Sequence, residues 1–242
     1  MVRIVILRAG DPPPSVSERR GTFFDFITRA AGNEPVAFSE HDVRTDAPLP
    51  DPRSADGFVM TGSSSSVTER APWMLRSEEY LRELVRLERP FFGICFGHQM
   101  LAQALGGEVK KNPRGREIGT IRVAVHETGR ADPVFAGLPR EAIVNATHQD
   151  SVTTLPPGAL LLASSDLEPH AAYAIGDAIR CVQFHPEFDG DIMKGYVRAR
   201  AHLLAQEGLD ADAIHDAAID TEHGPAMIRN WISAVRAGAR RP

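Results

Sequence analysis

The sequence predicts an α/β fold built on a mostly parallel central sheet. Three observations carry that expectation. The first half of the chain alternates short apolar runs with segments of helical period. The runs are continuously apolar rather than alternating, as strands covered on both faces must be. Glycine, proline and serine clusters punctuate the elements.

Val2 to Leu7 is the first such run. Residues 9–21 (AGDPPPSVSERRG) read as a loop by composition. Phe23 to Ala31 carries apolar residues at helical spacing, and Pro35 to Phe38 is a short strand candidate. Phe58 to Thr61 is a second buried strand, ending at Gly62 and a serine run. Pro72 suits the first turn of a helix that runs to Glu88. Pro90 to Ile94 is a third strand, followed at once by a helix from Gly97 to Leu105 that Gly106-Gly107 stops. Val109 to Val125 turns extended, as a hairpin or side sheet. Ile143–Ala146, Ala159–Ala163, Ala171–Ile175 and Ile179–Phe184 follow as strands. Residues 189–238 are mostly helical, with breaks expected near Gly208 and Gly224-Pro225. The expected organisation is one domain over 1–242, with a core at 1–188 and a helical extension at 189–242.

Composition excludes several classes. A net charge of −5 gives no electrostatic footprint for nucleic acid or an anionic membrane surface. No segment approaches the ~20 apolar residues of a spanning helix. Only two cysteines, Cys95 and Cys181, are present, too few for a secreted disulfide scaffold. No secretory leader is evident, and the cytoplasm is the expected address. Histidine and acidic residues do not cluster at metal spacing, and no glycine-rich phosphate loop occurs, so no metal and no cofactor are expected.

The chemistry concentrates at Gly93-Ile94-Cys95-Phe96-Gly97, between a buried strand and a helix. This is the spacing of a nucleophile elbow with cysteine in the serine position. A strand turning sharply into a helix brings the residues two before and two after the nucleophile together, and glycine removes the clash. Cys95 then stands at a helix N-terminus, where a thiolate is favoured and the Phe96 amide can face an oxyanion. About ninety residues on, a strand ends in Gln183-Phe184-His185-Pro186-Glu187. Residues two apart on an extended chain face the same way, and Pro186 keeps His185 extended. Glu187 can therefore orient the His185 imidazole as the base for Cys95.

GICFGHQ at 93–99 with HPE at 185–187 resembles the class-I glutamine amidotransferases, and FVMTGSSSSV with PWM is similar to their GMP synthase-like branch. NATHQDSV at 145–152 looks like that branch's His-Gly-Asp segment. The resemblance implies a flavodoxin-like three-layer α/β/α sandwich and a Cys95–His185–Glu187 triad. The implied reaction cleaves the side-chain amide of glutamine, or another γ-glutamyl amide, through a thioester on Cys95. It implies oxyanion donors at Gly62 and Phe96. Ser63 and Gln99, with Thr147, His148, Gln149 and Asp150, would meet the substrate. Two departures stand out: GSSSS replaces a Gly-Gly-Pro-rich loop, and Gln149 replaces a glycine.

Three functions follow from this pattern. One is a glutaminase subunit that passes ammonia to a separate synthetase. The second is a free-standing γ-glutamyl hydrolase, and the self-contained length tilts toward it. The third is a non-catalytic relative, which the intact Cys95, His185 and Glu187 set disfavours. The C-terminal helices are expected to cover a sheet edge or support a homo-oligomer. His98 is expected to be a packing residue and Cys181 an inert buried thiol.

Overall fold

The structure is a computed structural model that describes residues 1–239. β1 (Val2–Arg8) leads through α1 (Pro14–Arg20) and α2 (Phe23–Ala31) to β2 (Val36–Asp42). β3 (Gly57–Met60), α3 (Pro72–Arg86), β4 (Phe91–Ile94) and α4 (Phe96–Ala104) follow. Next come β5 (Glu108–Lys111), β6 (Glu117–Val125), α5 (Glu127–Arg130), β7 (Glu141–His148) and β8 (Asp150–Thr154). The chain closes with β9 (Leu160–Ser164), β10 (Ala172–Ile175), β11 (Ile179–Val182), α6 (Gly190–Ala199), α7 (Ala201–Gln206), α8 (Ala211–Ala217) and α9 (His223–Gly238).

The main sheet has the order β2-β1-β3-β4-β11-β10-β9-β6-β7. The first five strands pair in parallel, and the remaining pairings are antiparallel. The order 2-1-3-4 and then β11 is the flavodoxin-like arrangement, whose ligands lie beyond the carboxyl ends of the parallel strands. Successive residues of β4 explain why its sequence is apolar throughout. Phe91 packs into the cluster shared with α3 and α4, and Phe92 into the opposite cluster with α9.

Several local expectations need correction. Residues 9–21 contain α1, because Pro14 sits at the first helical position and Val16 is fully buried against α6. Composition marked this stretch as loop, but a buried anchor decided it. β2 continues to Asp42, paired along its length with β1. Of the two alternatives for the stretch from Val109, β5 takes the side sheet, pairing with β8, while β6 joins the main sheet beside β7 and no hairpin forms between them. The break expected near Gly224-Pro225 is present just before it, at residues 218–222 between α8 and α9, and the Gly-Pro pair itself starts the next helix. The pair lies in the first turn of α9, where the missing proline N–H has no intrahelical partner to lose. The C-terminal residues also do more than cap an edge. Met227, Ile228, Trp231, Ile232 and Val235 belong to the same apolar cluster as β1, β4 and β7, and Trp231 stacks on Phe92 at 5.7 Å.

The elbow glycines have the steric role expected of them. A Cβ on Gly97 would lie 2.5 Å from the Met60 carbonyl oxygen, and one on Gly93 would lie 2.8 Å from Gly97. Gly97→Ala is therefore expected to lower stability by about 1–3 kcal/mol through overpacking. The intrinsic helix preference of alanine, ~1 kcal/mol, does not offset this. Thermal denaturation checks it, and an unchanged or higher Tm would contradict so tight an approach of α4 to β3.

Candidate active site

Each parallel strand end delivers one part of the site. β4 ends at Cys95, whose amide donates to the Val182 carbonyl of neighbouring β11 at 2.8 Å. The chain then turns into α4 through a backbone with φ 51° and ψ −99° at Cys95. A side-chain-bearing residue rarely adopts this conformation, which costs of order 1–3 kcal/mol. The turn puts the sulfur 3.9 Å from the Thr147 carbonyl. Cys95 is only 6% exposed.

β3 ends at Thr61, whose hydroxyl accepts from the Ala9 amide and donates to the Gly62 carbonyl, both at 3.0 Å. This hydroxyl ties the loops after β1 and β3 together. Gly62 then runs against the imidazole: a Cβ there would come within 2.8 Å of His185 Cε1. The Gly62 amide donates to no backbone carbonyl among the described residues.

Beyond β11, the His185 amide donates to the Asn145 carbonyl at 2.8 Å, which bridges it to β7. Asn145 itself is fully buried. Its amide donates to the Phe188 carbonyl at 3.0 Å, and its oxygen accepts from Thr120 at 2.7 Å. The His185 ring stacks on Phe188 at 4.0 Å and lies near Phe23 at 6.2 Å. Its Nδ1 donates to Glu187 Oε1 at 2.8 Å.

The electrostatics follow from burial. His185 and Glu187 are almost fully enclosed, and Glu187 Oε2 has no hydrogen-bond partner among the described residues. A buried carboxylate so poorly solvated needs a cation beside it. Burial pulls the His185 imidazole toward neutrality. The Glu187 carboxylate foremost, and the charge of the nearby Cys95 sulfur, oppose it and push the pKa up to about 10. The ring therefore remains protonated at neutral pH. A thiol beside such a ring can form a thiolate–imidazolium pair, which supplies a nucleophile and a proton for a leaving amine.

The structure sorts the other sequence candidates. Gln99 is buried, and both its N–H groups are occupied, by the Asp150 carbonyl and Gln183 Oε1, each at 2.9 Å. His148 is a pin for its turn. Nδ1 meets the Asp150 carbonyl at 3.0 Å, and Nε2 meets Glu117 at 2.9 Å. Asp150 accepts from the Ser66 hydroxyl, and Gln149 reaches Glu207 at 3.3 Å on the surface. Phe96 is buried against Trp73 at 5.6 Å. Ser63 and Thr147 line a narrow recess with His185, Phe23, Tyr196, Arg200, Asp11 and Ser64. His98 packs on Tyr173 and bonds the His170 carbonyl at 2.9 Å, with burial lowering its pKa to about 3. Cys181 is fully buried behind the elbow, where burial pushes its thiol up to about 12.

Sequence reasoning missed Asn145, Thr61 and the aromatic wall. Phe188 directly follows Glu187 and could have been found by the stacking its neighbour invites. Phe23, Tyr196 and Arg200 lie on distant elements with no local signal.

The sequence model of the family glutamine amidotransferase class-I matches residues 29–200, most of the chain. The chain belongs to the class-I glutamine amidotransferase family. Members of this family are cysteine-dependent amidohydrolases, and this glutamine amidotransferase is an enzyme of that kind. It is 29% identical to gamma-glutamyl peptidase 3 of Arabidopsis thaliana over 184 residues, 74% of each chain. It is 38% identical over 153 residues to the glutamine-hydrolyzing GMP synthase of Thermosipho africanus, spanning 60% of this chain but only 28% of that protein. The fold matches the crystal structure of a glutamine amidotransferase from Thermotoga maritima with a TM-score of 0.74 and 23% identity, covering 98% and 97% of the two chains. Among the described residues, no helix of this glutamine amidotransferase is long and apolar enough to cross a membrane.

Proposed function

We propose that this amidotransferase hydrolyses γ-glutamyl amides and peptides with Cys95 as nucleophile, without needing an acceptor domain. The observation that carries the reading is the buried Glu187–His185 pair just beyond β11, the strand that pairs in parallel with β4, whose end leads into Cys95. The Cys95 thiolate attacks the γ-carbonyl carbon. The oxyanion forms against the amides of Gly62 and Phe96, where losing one donor typically costs ~10²–10³ in rate. Collapse breaks the C–N bond, and the His185 imidazolium gives its proton to the departing amine. Water then loses a proton to His185, attacks the γ-glutamyl thioester, and releases glutamate and the Cys95 thiolate. Glu187 holds the ring and balances its charge throughout.

Free-standing action is favoured by how the relatives align. The match to gamma-glutamyl peptidase 3 covers 74% of both chains, whereas the GMP synthase match covers 28% of a much longer protein. A glutaminase serving a separate synthetase remains the second reading, supported by the likeness to GMP synthases. In either case the reduced interior of a cell suits a lone working thiol.

The test offers purified protein glutamine, γ-glutamyl-p-nitroanilide and γ-glutamyl dipeptides, with Cys95→Ser as control. Amine release from dipeptides by wild type alone is the expected result. Activity on glutamine only, rising when a synthetase is added, would support the second reading. Equal silence of both proteins, with Cys95 untouched by the glutamine analogue 6-diazo-5-oxo-norleucine, would overturn both.

Gly62→Ala carries a further expectation. Its Cβ would strike the imidazole at Cε1, so the ring must move. Turnover is expected to fall by about 10²-fold or more, with the fold intact by circular dichroism. Near-normal kcat would contradict the approach of this loop to the ring.

A further inference from the structure

The recess beside Cys95 contains three buried polar groups that the described residues leave without hydrogen-bond partners: the Thr147 hydroxyl, the Tyr196 hydroxyl and Nη1 of Arg200. Buried polar atoms are nearly always paired, so three orphans around one recess of about 20 Å³ mark a place for a single small polar group, such as one carboxylate oxygen or a water. Their chemistry is that of an anion site, with one guanidinium and two hydroxyl donors.

The charge around the recess agrees. Asp11 is the one carboxylate among the lining residues, and it is already engaged by Arg44 at 2.7 Å and Arg8 at 3.5 Å. The His185 cation is matched by Glu187. Arg200 has no such carboxylate in an ion pair among the described residues. It lies over the Tyr196 ring at 4.8 Å, at the junction where α6 gives way to α7. Burial, and after it the Arg116 cation, act against its charge and outweigh Tyr196 and Cys95, which act for it, so its pKa is lowered. A cation left unpaired in so enclosed a place is best satisfied by an incoming anion.

We infer that Arg200, with the hydroxyls of Tyr196 and Thr147, receives the α-carboxylate of the γ-glutamyl substrate. This rests on the γ-glutamyl reading above. The inference gives specificity a physical source. A γ-glutamyl group carries a free α-carboxylate, whereas a glutamine inside a peptide chain does not, so internal glutamine would leave Arg200 unpaired and be rejected. The Gln99 amide, with both N–H groups already committed, is not the donor for this carboxylate.

The alternative is that Arg200 serves only to favour the thiolate. Two alkylators of Cys95 separate these roles. 6-Diazo-5-oxo-norleucine carries an α-carboxylate, and iodoacetamide does not. The second-order rate of inactivation would be measured across pH for wild type, Arg200→Met and Arg200→Lys. Arg200→Met is expected to slow the diazo reagent by about 10–10²-fold, the usual worth of a charged hydrogen-bonded contact. Because Arg200 also bears on the Cys95 charge, the variant should slow iodoacetamide and shift its pH profile a little, but by far less than it slows the diazo reagent. Arg200→Lys should restore part of the loss, and KM for γ-glutamyl-p-nitroanilide should rise more than kcat falls. Equal slowing of both reagents, with an iodoacetamide profile shifted enough to account for the diazo loss, would assign Arg200 to the thiolate and overturn the inference. An undiminished diazo rate in Arg200→Met would also overturn it. If wild type reacts with iodoacetamide but not the diazo reagent, the γ-glutamyl reading itself fails.

Discussion

Replacing Cys95 should eliminate turnover of γ-glutamyl amides, by about 10⁴–10⁶-fold, because the other cysteine of the sequence, Cys181, is fully buried and cannot form the thioester in its place. Stability should move in the opposite direction in one of the variants. Cys95 holds a backbone with φ 51° that any Cβ strains, and the strand-to-helix turn enforces it. Cys95→Ala keeps that strain and loses the sulfur. Cys95→Gly loses the sulfur and relieves the strain. The relief, of order 1–3 kcal/mol, exceeds the extra entropy cost of glycine, roughly 0.5–1 kcal/mol. Cys95→Gly is therefore expected to unfold at a higher temperature than Cys95→Ala by calorimetry, although both are inactive. Residual activity in either variant would show a different nucleophile. A lower Tm for the glycine variant would show that the turn is not strained.

Glu187→Gln should lower kcat/KM by about 10²–10⁴-fold, as expected when a buried orienting carboxylate loses its charge. Its pH profile should change in a defined direction. In the native protein Glu187 and the Cys95 sulfur hold the imidazole pKa near 10, against burial. The acid form of His185 is therefore present across the neutral range, and activity falls only as pH rises through that value. Without the carboxylate charge, burial gains ground and the imidazolium gives up its proton more readily. The alkaline limb should then move to lower pH by about one to three units. Kinetics of γ-glutamyl-p-nitroanilide hydrolysis from pH 5 to 10 would read both effects. An unmoved alkaline limb would mean that Glu187 does not set the charge of the ring.

Much of this was legible in the residues. The apolar runs at Val2, Phe58 and Phe91 announced buried parallel strands, because a strand covered on both faces cannot alternate. Gly93 and Gly97 around Cys95 announced the elbow, because a side chain on Gly97 would strike Met60 and one on Gly93 would strike Gly97. Glu187 two residues past His185 announced the buried pair, because an extended chain turns both side chains the same way. All of these signals are local and depend on fixed backbone periods.

What the chain could not declare by itself lies between elements far apart in sequence. Composition marked residues 9–21 as loop, yet burial of Val16 against α6 made part of it helix. Gln99 was expected to meet substrate, and the fold sets its amide nitrogen on Gln183 and the Asp150 carbonyl. His148 was expected to meet it too, and the fold sets its Nε2 on Glu117. The recess charge depends on Asp11, Tyr196 and Arg200 meeting, and on Arg8 and Arg44 reaching Asp11 first. The sequence by itself pointed to the proposed reacting groups and to the turn that presents Cys95. Tertiary packing decided which neighbouring polar groups remain free for a ligand. The reason is that hydrogen-bond capacity is spent on whichever partners the fold brings near, and no local spacing records that choice.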